Sequence, residues 1–577
     1  MINNRELANT FTLIADLLEI KGENFYKTNA YRKAAENLLE LSQEAHQIWE
    51  DGELQSIPGV GKAIADKIDE LLRTGELEFL NRLTAEVPAS LAEMVKIPDL
   101  GPKKVKLFWD ELGITTVEEL AEAAKAGKLA DLPGMGEKSQ ARVLAGIEAL
   151  GRRQTGRIPL GDAWGFGQSQ LMFLRALPGV AAAEMAGSLR RMRDTIGDLD
   201  ILVAAEDSEP VMEAFSSQPN ISHIEGRGPT KTSVEFSNGL RAQVWVHPPQ
   251  RFGTALQYAT GSKDHNVRVR EQALKKGFSL SEHALTREDG TELLCASEEE
   301  VYQAVGLPFI PPELREDRGE VQAGLAGTLP RLIKVANILS DLHTHSTWSD
   351  GRGSIREMAE AAIARGRKML AVTDHSQSLG IGNGLSIERL MAQKEEINQL
   401  RQEFQGQITL LHGTEMEIKA DGTLDYPDEI LAQLDIVVAS LHVAMRQPRE
   451  QVTERMLTAI RNPHVDIIGH PTNRLIPDRA GADLDMEVIF QAAAEHGTAL
   501  EINANPQRLD LNDIHARRAI ELGVLLAVDT DAHAPEHFDF LPFGVATARR
   551  AWAAKENVIN TWPVEKLLGW LENRPHP

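Results

Sequence analysis

The segment Asp341-Leu342-His343-Thr344-His345 closes an apolar run and sets two imidazoles at alternate strand positions, so both project to one side and can grip one ion. Six further runs end in the same manner, at Val372-Thr373-Asp374-His375, Gly413-Thr414-Glu415, Ser440-Leu441-His442, Gly469-His470-Pro471, Leu500-Glu501-Ile502-Asn503 and Asp529-Thr530-Asp531-Ala532-His533. Each leads toward a helical stretch. Strands alternating with helices imply a parallel sheet, and functional side chains gathered at strand C-terminal ends mark a β/α barrel. The pattern predicts a seven-stranded barrel over residues 338–577.

Nine candidate metal ligands sit at those strand ends: His343, His345, Asp350, His375, Glu415, His442, His470, Asp531 and His533. One such histidine alone reads as a hydrogen-bonded structural residue. Nine at the same end of successive strands read as a multinuclear metal site. Clustered ions polarise a phosphoryl group, lower the pKa of a bound water and neutralise the leaving oxygen, so the expected reaction is hydrolysis of a phosphate ester. With one cysteine, Cys295, in the whole chain, the ligands are nitrogen and oxygen, which suits Mn²⁺ or Zn²⁺ better than copper.

At these residues the chain resembles the polymerase and histidinol phosphatase (PHP) family. That resemblance implies up to three metals: one on His343, His345, Glu415 and Asp531, a second on Glu415, His442 and His470, a third on Asp350, His375 and His533.

Residues 1–150 read instead as short amphipathic helices: Leu7 to Glu19, Ala30 to Leu41, Ala63 to Leu72, Lys103 to Leu112 and Lys138 to Leu150. Between them one pattern recurs, as Ile57-Pro58-Gly59-Val60-Gly61-Lys62, Ile97-Pro98-Asp99-Leu100-Gly101-Pro102-Lys103 and Leu132-Pro133-Gly134-Met135-Gly136-Glu137-Lys138. Paired glycines let the backbone turn tightly and expose N–H groups beside a helix N-terminus, an arrangement suited to a DNA phosphate. A single such segment on its own reads as a plain helix-helix turn. Three look like helix-hairpin-helix DNA-binding units, with Gly59, Gly61, Gly101, Gly134 and Gly136 at the contact and Asp99 replacing a glycine in the second copy.

The middle of the chain has another site. Asp198 and Asp200 alternate at a strand start, so both carboxylates face one way and can share Mg²⁺, while Gly187, Ser188, Arg191 and Gly197 can hold a triphosphate. This combination, with Tyr258-Ala259-Thr260-Gly261-Ser262-Lys263 followed by Asn266 and Arg270, resembles family X DNA polymerases, in which the segment meets the incoming nucleotide; the family usually has Phe where Ala259 stands. The stretch Tyr26 to Ala35 resembles that family's DNA-end-binding domain, implying 5′-end contacts from Lys27, Tyr31 and Lys33. Lys67 lies where lyase-active members place a Schiff-base lysine, with Phe79 where a supporting lysine is often found.

One departure matters. The family's third carboxylate position is Gln243, and an amide supplies neither negative charge nor a base. Trp245 also replaces a common arginine. If Asn238-Gly239 forms a two-residue turn, Glu235 pairs with Ala242 and faces away from Gln243. Weak or absent polymerase activity is the expectation.

The fold class expected is therefore multidomain. A helix-hairpin-helix region comes first, then an α+β nucleotidyltransferase-type palm and thumb, then the PHP barrel. Expected boundaries are 1–80 (DNA-end-binding), 81–155 (fingers), 156–247 (palm), 248–315 (thumb), 316–337 (linker) and 338–577, the linker being marked by the Pro-rich stretch Leu307 to Pro330 with Pro308, Pro311 and Pro312. With 61 basic and 85 acidic residues the net charge is −24, so DNA contact has to be local, through a basic groove of Arg190, Arg191, Arg193, Lys263, Arg268 and Arg270. No apolar run reaches the 18 or so residues that span a bilayer and no signal-peptide pattern opens the chain, so a cytoplasmic monomer with no membrane partner is expected. Together these readings describe a DNA repair protein whose barrel is a 3′-to-5′ exonuclease acting on gapped, nicked or 3′-ended DNA, with dNTP as a further partner. A small-molecule phosphatase and a non-catalytic DNA-end scaffold are the rivals.

Overall fold

The computed structural model describes residues 2–573 except 3, 41–44, 51, 58, 96, 98–99, 131, 137–138, 141, 145–146, 148–156 and 478. Asp99 and most of the helix expected over Lys138 to Leu150 lie outside the described residues. Two compact units emerge: Met1–Arg157 with Lys263–Leu280 and Thr286–Thr291, and Ile158–Ser262 with Ser281–Leu285 and Glu292–Pro577.

The first unit is helical. In Asn4–Lys21 the apolar residues Leu7, Phe11, Ile14 and Leu18 fall on one stripe and are all essentially inaccessible. They share a core with Leu38, Ile68, Leu91 and Phe108. Helix Lys62–Thr74 starts after Gly61 and helix Pro102–Leu112 after Gly101, and the two glycines adopt matching extended geometry (φ −80°, ψ 170° and φ −83°, ψ 166°). In the third copy the amides of Ser139 and Gln140 donate to Gly136 O, the same opening move.

The second unit begins with a five-stranded sheet: β1 (Val180–Met185), β2 (Leu199–Ala205), β3 (Ile221–Arg227), β4 (Lys231–Phe236) and β5 (Arg241–His247), in the order β1-β2-β5-β4-β3. Strands β2 and β5 run parallel, setting Asp200 opposite Gln243. The β4–β5 hairpin corrects the expected register. Phe236 pairs with Leu240 across a three-residue loop containing Gly239 at φ 81°, so Glu235 stands opposite Arg241 and not Ala242. One residue of slip exchanges the faces of a strand, and Glu235 therefore shares the face of Gln243.

Seven parallel strands follow: β6 (Ser340–Asp341), β7 (Met369–Val372), β8 (Thr409–Glu417), β9 (Ile436–Ser440), β10 (Ile467–Ile468), β11 (Ala499–Asn503) and β12 (Leu526–Asp529), paired in sequence order. A parallel bridge between Thr344 and Ala532 brings the last strand end back to the first. The seven-stranded barrel expected from the strand-end clusters is what the chain forms. Strands β7, β9 and β10 are near-continuous apolar runs because helices cover the outside while side chains fill the inside.

The stretch expected to be a Pro-rich linker is instead built into this unit. Pro312–Leu314 forms a 3₁₀ turn, Glu320–Ala326 a helix, and Glu316 and Arg318 are ion-paired to Arg550 and Asp513 of the barrel. Proline here sets turns between anchored side chains and does not make a tether. Palm and barrel also share apolar packing, since Leu509 and Phe543 are buried with Leu160, Leu174 and Met185. No helix among the described residues is long and apolar enough to cross a membrane.

Candidate metal centre

Because all seven strands run the same way, their C-terminal ends open on one mouth, and the nine side chains singled out from sequence meet there. Glu415, 1 % exposed near the end of β8, stands in the middle. Its Oε1 lies 2.9 Å from His470 Nε2 and 3.2 Å from His442 Nε2; its Oε2 lies 3.4 Å from both His343 Nε2 and His345 Nε2. Asp531 Oδ1 completes the second side at 3.1 Å from His345 Nε2 and 3.6 Å from His343 Nε2. Asp350 reaches His375 Nε2 at 3.5 Å and His533 Nε2 at 3.4 Å. His375 also lies 2.8 Å from Glu415 through Nδ1, so it touches two of the groups and not only that of Asp350.

The constellation fits cations. His343 Nε2, both ring nitrogens of His345, Glu415 Oε2, His470 Nδ1 and Asp531 Oδ1 are buried without a hydrogen-bond partner. Such orphaned atoms are costly unless a positive charge takes their lone pairs. Four groups bring candidate ligand atoms within 4.8 Å of one another: His345, Asp350, His375 and His533; His343, His345 and Glu415; His343, His470 and Asp531; His375, Glu415 and His442. Burial alone would raise Glu415, but His375, His442 and His343 outweigh it and hold the carboxyl well below its ordinary range. Burial pushes His345 down to about 3, helped by His533 and His375. Neutral imidazole is the form that donates to a metal, so His345 stands in its donor form, whereas against burial Glu415 and Asp350 hold His375 up at about 10 and a bound cation would take the place of its proton.

Two carboxylates that sequence reasoning left unassigned orient the imidazoles. Glu501 Oε1 lies 2.8 Å from His343 Nδ1, and Glu417 Oε2 lies 2.7 Å from His442 Nδ1. In each pair the ring turns its Nε2 inward. The alternation of Glu417 with Glu415 on one strand was the available signal; for Glu501 there was only its place in Leu500 to Asn503.

In the palm, Asp198 immediately precedes β2, after Gly197, and Asp200 is the second residue of that strand. Gly187 (φ 57°) opens a short helix, Gly187–Arg190, that carries Ser188; a Cβ there would sit 2.0 Å from Asp200 Oδ2. Burial, then Asp198, pushes Asp200 up to about 7. Gln243 Nε2 donates to Asp198 Oδ2 at 2.7 Å. Tyr258 lies on helix Phe252–Thr260, its ring centroid 6.5 Å from that of Trp245, and Gly261 follows at φ 67°. Lys263, Asn266 and Arg270 lie on helix Lys263–Lys275, which belongs to the first unit.

The expected basic groove is not a row of free cations. Arg190 pairs with Glu298 at 2.6 Å, Arg191 with Glu316 at 3.0 Å, Arg193 with Glu316 at 3.4 Å and Arg268 with Glu271 at 3.1 Å. Tyr31 is likewise corrected. Its ring is 6 % exposed and stacked between Phe11 and Phe79 at 6.0 and 6.1 Å, which withdraws it from stacking on a DNA end. The aromatic side chains exposed nearby are Phe25 and Tyr26. Lys33 is exposed, Lys27 lies 3.3 Å from Glu23, and Lys67 places its ammonium 4.9 Å from the centre of the Phe79 ring.

Fold and side chains together define a class, a helix-hairpin-helix protein with a nucleotidyltransferase-type palm and a PHP-type barrel. Comparison with known proteins gives the same picture: residues 2–77 match a helix-hairpin-helix domain, 91–149 a SAM-like helix-hairpin-helix tandem, 255–316 a DNA polymerase beta thumb and 341–505 a PHP domain. The chain is 40% identical over 574 residues, 99% of its length and 100% of the relative's, to the DNA polymerase/3′-5′ exonuclease PolX of Bacillus subtilis (strain 168). It belongs to the family X DNA polymerases that carry a fused PHP domain. Its barrel half alone is 32% identical, over 41% of the chain and 96% of the relative, to a protein named "Probable phosphatase" from Thermoanaerobacter sp. (strain X514).

Proposed function

We propose that this protein is a DNA repair enzyme whose barrel trims DNA from 3′ ends as a metal-dependent exonuclease, and whose palm binds a nucleotide but transfers it poorly. The observation that carries the first half is Glu415, buried between two sets of imidazoles with an unpartnered oxygen. In this reading His343, His345, Glu415 and Asp531 hold one ion, Glu415, His442 and His470 a second, and Asp350, His375 and His533 a third. Nitrogen and oxygen donors without sulfur favour manganese or zinc. Bound there, such ions polarise the phosphoryl oxygens and lower the pKa of a water.

The protein's own groups do the positioning. Glu501 and Glu417 keep the inner nitrogens of His343 and His442 aimed at the cage, and Asn503 Nδ2 donates to Asp531 Oδ2 at 3.0 Å to fix that carboxylate. In the palm, Asp198 and Asp200 can take Mg²⁺ with Gly187, Ser188 and Arg191 near the phosphates, yet Gln243 brings an amide where a third carboxylate would activate a primer hydroxyl. The helix-hairpin-helix segments, through Gly59, Gly61, Gly101, Gly134 and Gly136, supply the grip on gapped or nicked DNA.

The likeness to the Bacillus subtilis polymerase and 3′-5′ exonuclease, aligned over its full length, supports this reading. A second reading, hydrolysis of a small phosphate ester, draws on the likeness of the barrel to proteins named as phosphatases. One assay tests both halves. Purified protein, with and without chelator, is given a labelled gapped primer-template with deoxynucleotides, and single-stranded DNA beside small phosphomonoesters. Chelator-sensitive trimming with little extension is expected. Hydrolysis of monoesters without trimming of DNA would overturn the exonuclease reading, and ready gap filling would overturn the palm reading.

A further inference from the structure

On one side of the barrel mouth two guanidinium groups share a single neutral acceptor. Arg479 NH2 donates to Asn473 Oδ1 at 2.7 Å, and Arg508 NH1 donates to the same oxygen at 2.5 Å. Among the described residues no carboxylate lies within ion-pair distance of Arg479, and Arg508 has only Asp531 Oδ2, at 3.6 Å. That oxygen belongs to a side chain of the metal cage. Asp510 is buried, accepts from the Thr472 amide and interacts electrostatically with Arg474 and Arg508, but it forms no ion pair with Arg479 or Arg508 among the described residues. Two cations crowded onto one amide oxygen repel each other, and an anion placed between them relieves the repulsion.

The pair is held on a rigid support. Arg474 donates to the carbonyls of Arg508 and Leu509 at 2.8 and 2.6 Å and lies 3.2 Å from Asp194 of the palm. Leu509 itself is buried in the palm core. The two arginines therefore stand where the barrel abuts the palm, next to the cage and outside it.

We infer that Arg479 and Arg508 form a second phosphate subsite, which takes the phosphate adjacent to the one being cleaved and so selects a polynucleotide strand over a small phosphate ester. The inference rests on the phosphoesterase reading of the cage. A substrate with one phosphate has nothing to place there, whereas a nucleic acid strand always has a neighbouring phosphate.

The test compares the full-length protein with Arg479→Ala, Arg508→Ala and Arg479→Lys on a single-stranded oligonucleotide and on bis(p-nitrophenyl) phosphate with Mn²⁺. The ratio of kcat/KM for oligonucleotide over small diester should fall about ten-fold in each alanine variant, the usual worth of one charged hydrogen bond to a phosphate. The slope of log KM against log salt should become shallower by about 0.7 for each arginine–phosphate pair removed. Arg479→Lys should restore most of both, and because Arg479 is exposed it keeps the test open should Arg508→Ala fail to fold. An unchanged ratio and slope, or equal loss on both substrates, overturns the subsite. If the wild-type protein cleaves neither substrate, the reading of the cage fails instead. Calorimetric binding of thymidine 3′,5′-bisphosphate against thymidine 5′-monophosphate then decides the subsite, a preference for the bisphosphate that Arg479→Ala removes being expected and no preference overturning it.

Discussion

The Gln243 amide donates to Asp198 Oδ2 across 2.7 Å, so the strand beside the Asp198–Asp200 pair meets it with a neutral hydrogen bond where a carboxylate would add charge. Strands β2 and β5 hold Gln243 opposite Asp200 in parallel register, which makes the geometry of a third ligand available without its chemistry. Gln243→Asp is expected to raise Mg²⁺-dependent gap filling by about two orders of magnitude, the ordinary worth of a positioned general base. Single-nucleotide extension of a gapped primer-template measures it. No gain would mean that the missing carboxylate is not what limits the palm.

Glu501 and Glu417 are expected to act through the imidazoles they face. Replacing Glu501 or Glu417 by Gln keeps an oxygen for the His343 or His442 Nδ1 proton but removes the charge. Affinity for Mn²⁺ should fall about ten-fold or more in each variant. Titration calorimetry on the metal-stripped protein reads this, and unchanged affinity would assign both carboxylates to packing alone.

Buried and unpartnered, the oxygens Glu415 Oε2 and Asp531 Oδ1 should make the barrel less stable once its ions are removed. Chelation should lower the melting temperature and added Mn²⁺ should restore it, a cation at about 100 times its Kd adding about 2.7 kcal/mol. The double variant His343→Ala with His345→Ala should lose both the increment and the nuclease activity. A melting temperature indifferent to chelator would count against a metal cage.

Glu298 is clamped by Arg190 and Arg315 at 2.6 and 2.5 Å. Burial would raise its pKa, yet the two guanidinium groups more than offset it, and the carboxyl falls from 4.5 to about 2. A depressed carboxylate stabilises the fold fully above its unfolded pKa and loses that contribution as pH drops through the folded value, here between about pH 5 and 2. Glu298→Gln should therefore cost about 3 kcal/mol near neutrality, and the gap from wild type should close as the pH is lowered through that window. Melting of the two proteins across pH 7 to 3 checks the sign, and a gap that widens on acidification would refute it.

Tyr31 has been moved by its neighbours from a surface role to a core one. Packed between Phe11 and Phe79, it should cost about 3 kcal/mol or more in stability when cut to alanine, and little when changed to phenylalanine. Thermal melting of Tyr31→Ala and Tyr31→Phe separates this from a DNA contact. A stable Tyr31→Ala protein with weakened DNA binding would restore the surface role.

Reading along the chain was enough for the barrel and its nine candidate ligands, for a simple reason. In a closed parallel sheet every strand ends at the same mouth, so polar residues at successive strand ends need no three-dimensional information to be brought together. The helix-hairpin-helix copies were legible likewise, because glycines before a helix act within a few residues. What only the folded chain decided depends on partners far apart in sequence. Glu501 is 158 residues from His343, and Glu316 is 125 from Arg191. Local spacing carries no trace of such pairs. The same holds for the face of Glu235, which a single extra loop residue reversed, and for the two arginines drawn onto Asn473, whose meeting is a property of packing at the barrel mouth and of no motif.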